Sequence, residues 1–393
     1  MIAYACEPNS SSEGLVGWEL ASRIARRHHV TLLTRPKARE DIEKLRAEDS
    51  GMDLEVEYHE LGVLRSLKQL RLPVSNLRYL VWNHRLATRV GELENTGRFD
   101  LLHHTTWVRH WMPSAAAGAR HLPFVWGPVG AAEQTPLDLV RTMGWRGKGL
   151  EALRLAGPHL VRLDPMMRKS RERVSMAVPS SNDTARALSR YHFDQVVAPS
   201  VGFEPDRMPT DVQLRNEIVS VGRLLDWKGF HLGLSAFARM PHRDLRYAIV
   251  GDGPARRRLI GLARQLGIED RVEFTGRLEG DETIRRIGGS RLLVHPSFHD
   301  SGGFVVVEAL AQGVPVLTLD RGGPAFLAES GGVAVSATPT TSLIDRMSEA
   351  MGTILSERSR WSEAALRRAE EALAWERIVD VYDGIYRRLI GRV

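Results

Sequence analysis

The chain has 393 residues, 43% of them hydrophobic and 26% charged, with a formal net charge of +6 and one cysteine. That length exceeds what a single core usually supports, so two domains of about 200 residues each are expected. Cys6 alone excludes an internal disulfide and a cysteine-based zinc site, and no apolar run approaches the roughly 18 to 20 residues that span a bilayer. The first residues lack the charged and apolar regions of a signal peptide, so the expected compartment is the cytoplasm. A pI of about 9.6 suits an anionic partner: a nucleotide phosphate, an acidic membrane surface or nucleic acid.

In chain order, residues 2–5 predict a short strand, and 7–17, rich in turn formers, a loop. A helix over 18–27 follows, with Leu20, Ala21, Ile24 and Ala25 at helical spacing, and 30–34 predicts a second strand. Where a dinucleotide site wants Gly-x-Gly-x-x-Gly, this βαβ opening has only Gly14 and Gly17, which argues against a nicotinamide enzyme. Between Leu64 and Val90, Arg65, Lys68, Arg71, Arg78, Arg85 and Arg89 occur with no acid, interleaved with Leu67, Leu70, Leu77, Leu80, Val81 and Trp82. Two readings stay open: a basic amphipathic surface for an anionic membrane or a lipid-phosphate acceptor, and a helix pair with a solvated basic face.

Residues 99–106 predict a strand that ends in His103, His104, Thr105 and Thr106. Ligands of open α/β sheets bind at that end, so either histidine is a candidate for a substrate hydroxyl, against the reading of a satisfied structural residue. Residues 123–130 form a further strand ending in a glycine and proline turn, with Glu133 just beyond. A basic helical stretch over 149–173, a strand over 176–180, a capped helix over 183–190 and a strand over 196–199 complete the first half. Clustered turn signals over 200–210 mark the domain boundary.

The second half opens with a strand over 218–221 whose end presents Arg223 and Lys228. A planar bidentate fork beside a compact point charge suits a pyrophosphate. A strand over 247–250 ends in Gly251-Asp252-Gly253-Pro254, and a helix over 255–265, a strand over 272–277 and a helix over 282–287 follow. The apolar run 292–294 then leads through His295-Pro296-Ser297-Phe298-His299-Asp300-Ser301-Gly302-Gly303-Phe304 into a helix carrying Glu308. Gly302 and Gly303 let backbone approach a ligand, and the free N–H groups of the helix start favour an anion. Glu308 is placed to accept hydrogen bonds from a pair of hydroxyls; the alternative is an ordinary strand-turn-helix unit with a solvated acid. Strands over 314–318 and 333–335, a Gly322-Gly323-Pro324 turn and a terminal helix over 378–390 end the chain. Strand and helix alternate throughout, so parallel sheets covered by helices are expected in both halves.

Val221-Gly222-Arg223 with Lys228-Gly229, Gly251-Asp252-Gly253-Pro254, Phe274-Thr275-Gly276-Arg277 and the block 295–316, in this order, resemble the retaining glycosyltransferases of the GT4 family (glycosyltransferase group 1). The resemblance implies the α/β GT-B fold: two Rossmann-like parallel-sheet domains facing across a cleft, with the C-terminal helix crossing back to the N-terminal domain. It implies an acceptor-binding domain over 1–200, with 376–393 packing back on it, and a nucleotide-sugar domain over 201–375. In this reading Arg223 and Lys228 hold the donor diphosphate, Glu308 the ribose hydroxyls and Asp300 the sugar hydroxyls. Backbone at Gly302, Gly303 and Phe304 meets sugar or phosphate, Gly253 and Arg277 belong to the donor site, and Gly14 and Gly17 approach the phosphates and acceptor. His103 or His104 matches the histidine near the donor sugar, although the family's His-x-His is not reproduced. Asp300 stands where glutamate is usual, and Ser301-Gly302-Gly303-Phe304 replaces the Gly-Phe-Gly-type turn. The pieces 5–8, 14–18 and 124–130 resemble a bacterial branch that carries His-Asp-Ser-Gly-Gly at this point.

The implied activity is hexosyl transfer, with retention, from a UDP- or GDP-type sugar to a hydroxyl acceptor, in polysaccharide, lipid-linked or natural-product glycoside synthesis. The nucleotide sugar is a substrate, and neither a cofactor nor a metal is expected. Rival readings are a sugar-nucleotide epimerase or phosphorylase of the same fold, and a non-catalytic sugar-nucleotide binder. Nucleic acid is not an expected partner, because the basic residues fit scattered helical faces better than a groove with interleaved aromatics. The expected location is cytoplasmic, with peripheral contact at the inner face of an anionic membrane. Donor base, sugar, acceptor and oligomeric state are not legible in these motifs.

Overall fold

The structure is a computed structural model that describes residues 1–10, 12–60, 75–161 and 164–391, without the side chains of 156–160. Arg65, Lys68 and Arg71 of the basic stretch lie outside the described residues.

The first sheet has seven strands: β1 (Ile2–Ala3), β2 (Val30–Thr34), β3 (Leu54–Tyr58), β4 (Leu102–Thr106), β5 (Phe124–Val129), β6 (Val174–Pro179) and β7 (Asp194–Gln195), in the order β3-β2-β1-β4-β5-β6-β7. The second has six: β8 (Glu217–Val221), β9 (Arg246–Val250), β10 (Val272–Gly276), β11 (Leu292–His295), β12 (Val316–Leu319) and β13 (Gly332–Val335), in the order β10-β9-β8-β11-β12-β13. Every pairing between these strands is parallel. Strands covered on both faces must be apolar along their length, and Val30–Thr34 and Leu292–His295 are buried at every residue.

The helices of the first half are α1 (Glu13–Ile24), α2 (Arg39–Glu48), α3 (Ser75–Glu94), α4 (Leu137–Thr142), α5 (Trp145–Val161), α6 (Pro165–Glu172) and α7 (Asn182–Leu188). Those of the second are α8 (Phe230–Ala238), α9 (Arg256–Gln265), α10 (Gly280–Gly289), α11 (Phe304–Ala311), α12 (Gly322–Ala328), α13 (Leu343–Ser356), α14 (Arg358–Arg368) and α15 (Trp375–Ile390). α1 begins five residues before the predicted start, so Gly14 and Gly17 are helical. A Cβ on Gly17 would stand 2.1 Å from the Ala5 carbonyl oxygen, and one on Gly14 2.8 Å from Glu7 Cβ. These glycines let α1 press against the chain leaving β1. The predicted helix over 149–173 is two helices, α6 opening with Pro165 at its first turn and the Asp164 side chain accepting from the Met166 N–H.

The chain crosses between the sheets twice, and the crossings lie side by side: the Phe203 N–H donates to the Leu373 carbonyl at 3.1 Å and the Trp375 N–H to the Phe203 carbonyl at 3.2 Å. A Cβ on Gly202 would sit 2.9 Å from the Trp375 ring. α15 then runs along the first sheet's side. Arg27 donates to Glu376 and Asp380, His28 is bonded to Asp383 at 2.8 Å, and Arg388 to Asp194 at 2.9 Å.

Candidate active site

Both sheets reverse their strand order once, between β1 and β4 and between β8 and β11, and the strand ends at these two switch points face each other. Open α/β sheets leave their ligand crevice at such a point. A cleft of about 1060 Å³ lies there, lined by Thr105, Val221, Gly222 and His295 from the strand ends.

Its second-sheet wall is built by glycines. Gly229 takes φ 71°, a left-handed conformation that disfavours side chains, and a Cβ there would sit 2.0 Å from the Pro296 carbonyl oxygen. The contact seats the turn before α8 on the loop after β11 and brings Lys228 onto Asp300, to whose Oδ2 its Nζ donates. His295 Nε2 lies 3.3 Å from the same oxygen. Burial alone would raise the Asp300 pKa, but the Lys228 charge and the His295 hydrogen bond outweigh it and hold it at about 2. Asp300 is therefore an anion at neutral pH. α12 supports this loop from behind, the Gly323 N–H donating to the Asp300 carbonyl at 2.7 Å. Gly302, Gly303, Phe304 and Val305, the turn and first residues of α11, complete the wall with backbone N–H groups outside the helix ladder.

The first-sheet wall meets this one at Ser301, whose Oγ accepts from the Ala131 N–H at 2.7 Å and donates to Glu133 at 3.1 Å. The Glu133 carboxylate is buried and also accepts from Ser181 and Thr184. Gly130 has no room for a side chain, since a Cβ would lie 2.5 Å from Ser301. Trp107 and Ala131, just past β4 and β5, have φ of 60° and 65°. Left-handed residues other than glycine cost on the order of 1 kcal/mol or more, and they cluster at sites that need a particular backbone.

A further wall comes from α5, through Arg154 and Leu155, and α4 ties it to the second half. Leu139 and Met143 insert among Phe230, Phe237 and Leu259 of the second half, and Arg258 donates to the Thr142 carbonyl at 3.2 Å. Glu151 on α5 is bonded to His299 at 3.1 Å, and the His299 ring stacks on Trp227 at 4.6 Å. Burial opposes ionisation of Glu151, yet His299 and Arg154 hold its carboxyl well below the usual range.

Of the expected site residues, Lys228, Asp300, Gly302, Gly303 and Phe304 come together in this cleft. Arg223 is exposed one residue beyond Gly222, outside the lining, and Arg277 is exposed at the end of β10. Gly253 packs on Leu224, where a Cβ would meet the carbonyl oxygen at 2.5 Å. Gly14 and Gly17 stand behind Ser12, Glu13 and Val16, which line the cleft in their place. Glu308 is half-buried on α11 outside the lining; its carboxylate has no hydrogen-bond or charge partner among the described residues, and burial pushes its pKa up to about 7.

The structure does not bring the two expected histidines to the cleft. Successive residues of β4 point to opposite faces, and both rings are buried in the layers on either side of the sheet. His103 Nε2 donates to the Gly127 carbonyl at 2.7 Å, which leaves Nδ1 to accept from the Tyr386 hydroxyl at 2.5 Å. His104 Nδ1 is bonded to Ser114 at 2.7 Å. Burial lowers both pKa values to about 3, so both rings are neutral. The histidine on the first-sheet wall is His110, whose Nδ1 is buried without a partner among the described residues and whose pKa falls to about 4 through burial and the nearby Arg190 and Arg171. Its only sequence signal is that it follows the end of β4.

Residues 209–369 match the model of the family described as glycosyl transferases group 1. The chain is similar to a lipopolysaccharide core biosynthesis glycosyltransferase, LpsE, of Rhizobium meliloti, 35% identical over 29% of this chain and 32% of that one. It is also similar to a 2-deoxystreptamine glucosyltransferase of Streptomyces kanamyceticus, 33% identical over 32% of this chain and 35% of that one. The match thus spans about a third of the length of these curated relatives. Among solved structures, Anabaena HepE in complex with UDP superposes with a TM-score of 0.64 at 17% identity, over 98% of both chains. The fold is therefore GT-B, as the sequence led us to expect.

Proposed function

We propose that the chain is a retaining glycosyltransferase of the GT4 family, moving a hexose from a UDP- or GDP-type sugar to a hydroxyl acceptor. The observation that carries this reading is Lys228 paired with ionised Asp300 beside the open backbone N–H groups of α11, at the switch point of the second sheet. A cation and helix-start N–H groups facing one pocket suit a diphosphate, and the family match over 209–369 covers this half. The first half takes the acceptor and the second the donor.

In this mechanism, cleavage of the C1–O bond places charge on the leaving diphosphate. Lys228, with Arg223 swinging in from the rim, and the N–H groups of Gly303, Phe304 and Val305 meet that charge as it develops, so that no metal is required. Asp300 accepts from sugar hydroxyls and Glu308 from the ribose diol. The acceptor attacks from the face the diphosphate leaves, and the diphosphate takes its proton. We assign the enzyme to the cytoplasm, in peripheral contact with the inner face of the membrane.

The test is release of nucleoside diphosphate from a panel of nucleotide sugars. The wild type is expected to release it from one member of the panel, and Lys228→Ala to lower kcat by about 10²- to 10³-fold, the loss typical of removing one preorganised charge partner. No release from any sugar, or unchanged turnover in Lys228→Ala, would refute the reading.

A further inference from the structure

In the strap formed by α4 and α5, α4 buries Leu139 as a surface helix does, whereas α5 has the inverse pattern. Its inward arc holds Gly147, Glu151 and Arg154, at i, i+4 and i+7: Gly147 packs on Asp226, Glu151 is bonded to His299 and Arg154 lines the cleft. The opposite arc of α5 carries Trp145, Leu150 and Leu153 into solvent, while Leu155 lines the cleft. Leu137 is 73% exposed, Trp145 78%, Leu150 57% and Leu153 70%. An apolar stripe on the outer face of a helix marks a partner surface, because folding alone places such residues inward.

The charges on this strap select the partner. Both of its acids are neutralised in place, Asp138 by Arg141 at 2.9 Å and Glu151 by Arg154 and His299. Arg146, lying on the Trp145 ring at 5.0 Å, and Lys148 have no acidic partner among the described residues, and both are exposed beside the leucines. A tryptophan at the boundary, leucines on one arc and unpaired cations at its edge are what an interfacial helix presents to anionic lipid. This surface differs from the basic stretch 64–90 that the sequence brought forward. There Arg89 is held by Glu57 and Glu92.

We propose that the outward face of α5, through Trp145, Leu150 and Leu153 with Arg146 and Lys148, seats in the headgroup region of an anionic bilayer. The cleft wall made by Arg154 and Leu155 then lies about one helix diameter from the lipid. This rests on the peripheral contact proposed above for its partner, and it needs no nucleotide sugar to be read.

The experiment is co-sedimentation of the full chain with phosphatidylcholine vesicles prepared with and without phosphatidylglycerol. The wild type is expected to partition at least about tenfold more strongly when phosphatidylglycerol is present, because unpaired cations near an anionic surface each strengthen binding several-fold. The double variants Trp145→Ser/Leu153→Ser and Arg146→Glu/Lys148→Glu should each lose that binding, with melting temperature and release of nucleoside diphosphate from a soluble donor unchanged. No binding by the wild type, or equal binding by the variants, would overturn the proposal. So would a wild-type dimer in solution that Trp145→Ser/Leu153→Ser converts to a monomer, since the face would then belong to a second copy. Loss of nucleotide release with vesicle binding intact would count against sugar transfer alone.

Discussion

At the scale of single residues, Asp300 and Glu308 differ by environment, although both are acids on one loop-helix unit. Asp300 faces Lys228 and stays ionised down to about pH 2, so its share of stability is present above its ordinary value of 3.8 and is lost as pH falls from there. Glu308 has no cation, and burial makes it hold its proton to about pH 7, against 4.5 in the unfolded chain. The native state binds the extra proton between those values, so stability falls as pH rises through that window and is level above it. Glu308→Gln should remove this slope and raise stability at about pH 8 by about 1 to 3 kcal/mol, measured as urea midpoints across pH. A slope that persists in the variant would show that another group titrates. The sequence revealed the carboxylates by their spacing around the glycines. It concealed the surroundings of His103 and His104, because two neighbours on a strand face opposite layers and a pair in the sequence is not a pair in space.

At the scale of elements, glycines decide what touches what. The meeting of the turn before α8 with the loop after β11 depends on Gly229, which supplies both a left-handed backbone and the space below Pro296. Gly229→Ala is expected to cost about 1 to 3 kcal/mol of stability and to weaken nucleotide binding by moving Lys228 off Asp300. Calorimetric melting and equilibrium titration of the same variant would measure both, and unaltered binding would show that Lys228 is placed by something else. Strand elements such as Val30–Thr34 were legible because a covered parallel strand is rich in apolar and β-branched residues, here Val30, Leu32 and Leu33 with Thr31 and Thr34. The start of α1 was not legible, since Gly14 and Gly17 read as loop residues until the close approach of Ala5 and Glu7 is seen. The strap was not legible either. The sequence reads 149–173 only as basic and helical, whereas packing leaves Leu150 and Leu153 outside and uses Leu139 and Met143 in the other half's core.

At the scale of the whole molecule, two parallel sheets present their switch points to one cleft, and two adjacent chain crossings at Phe203 and Trp375 join them. Alternating strands and helices made this architecture readable from end to end. What alternation does not encode is how the halves meet, and here the contacts are made by Ser301 with Glu133, by the Asp183 carboxylate accepting from the Gly322 N–H at 2.6 Å, and by the strap. These join residues far apart in the chain and carry no local pattern. In the proposed function the cleft receives the diphosphate of a nucleotide sugar on protein charges alone. Titration calorimetry of UDP and GDP into the wild type and Lys228→Ala, with chelator present, tests it directly. Saturable binding of one nucleotide by the wild type and at least about tenfold weaker binding by the variant, about 1.4 kcal/mol, are expected. Absence of binding, binding only when a divalent cation is restored, or equal affinity in the variant would contradict that function.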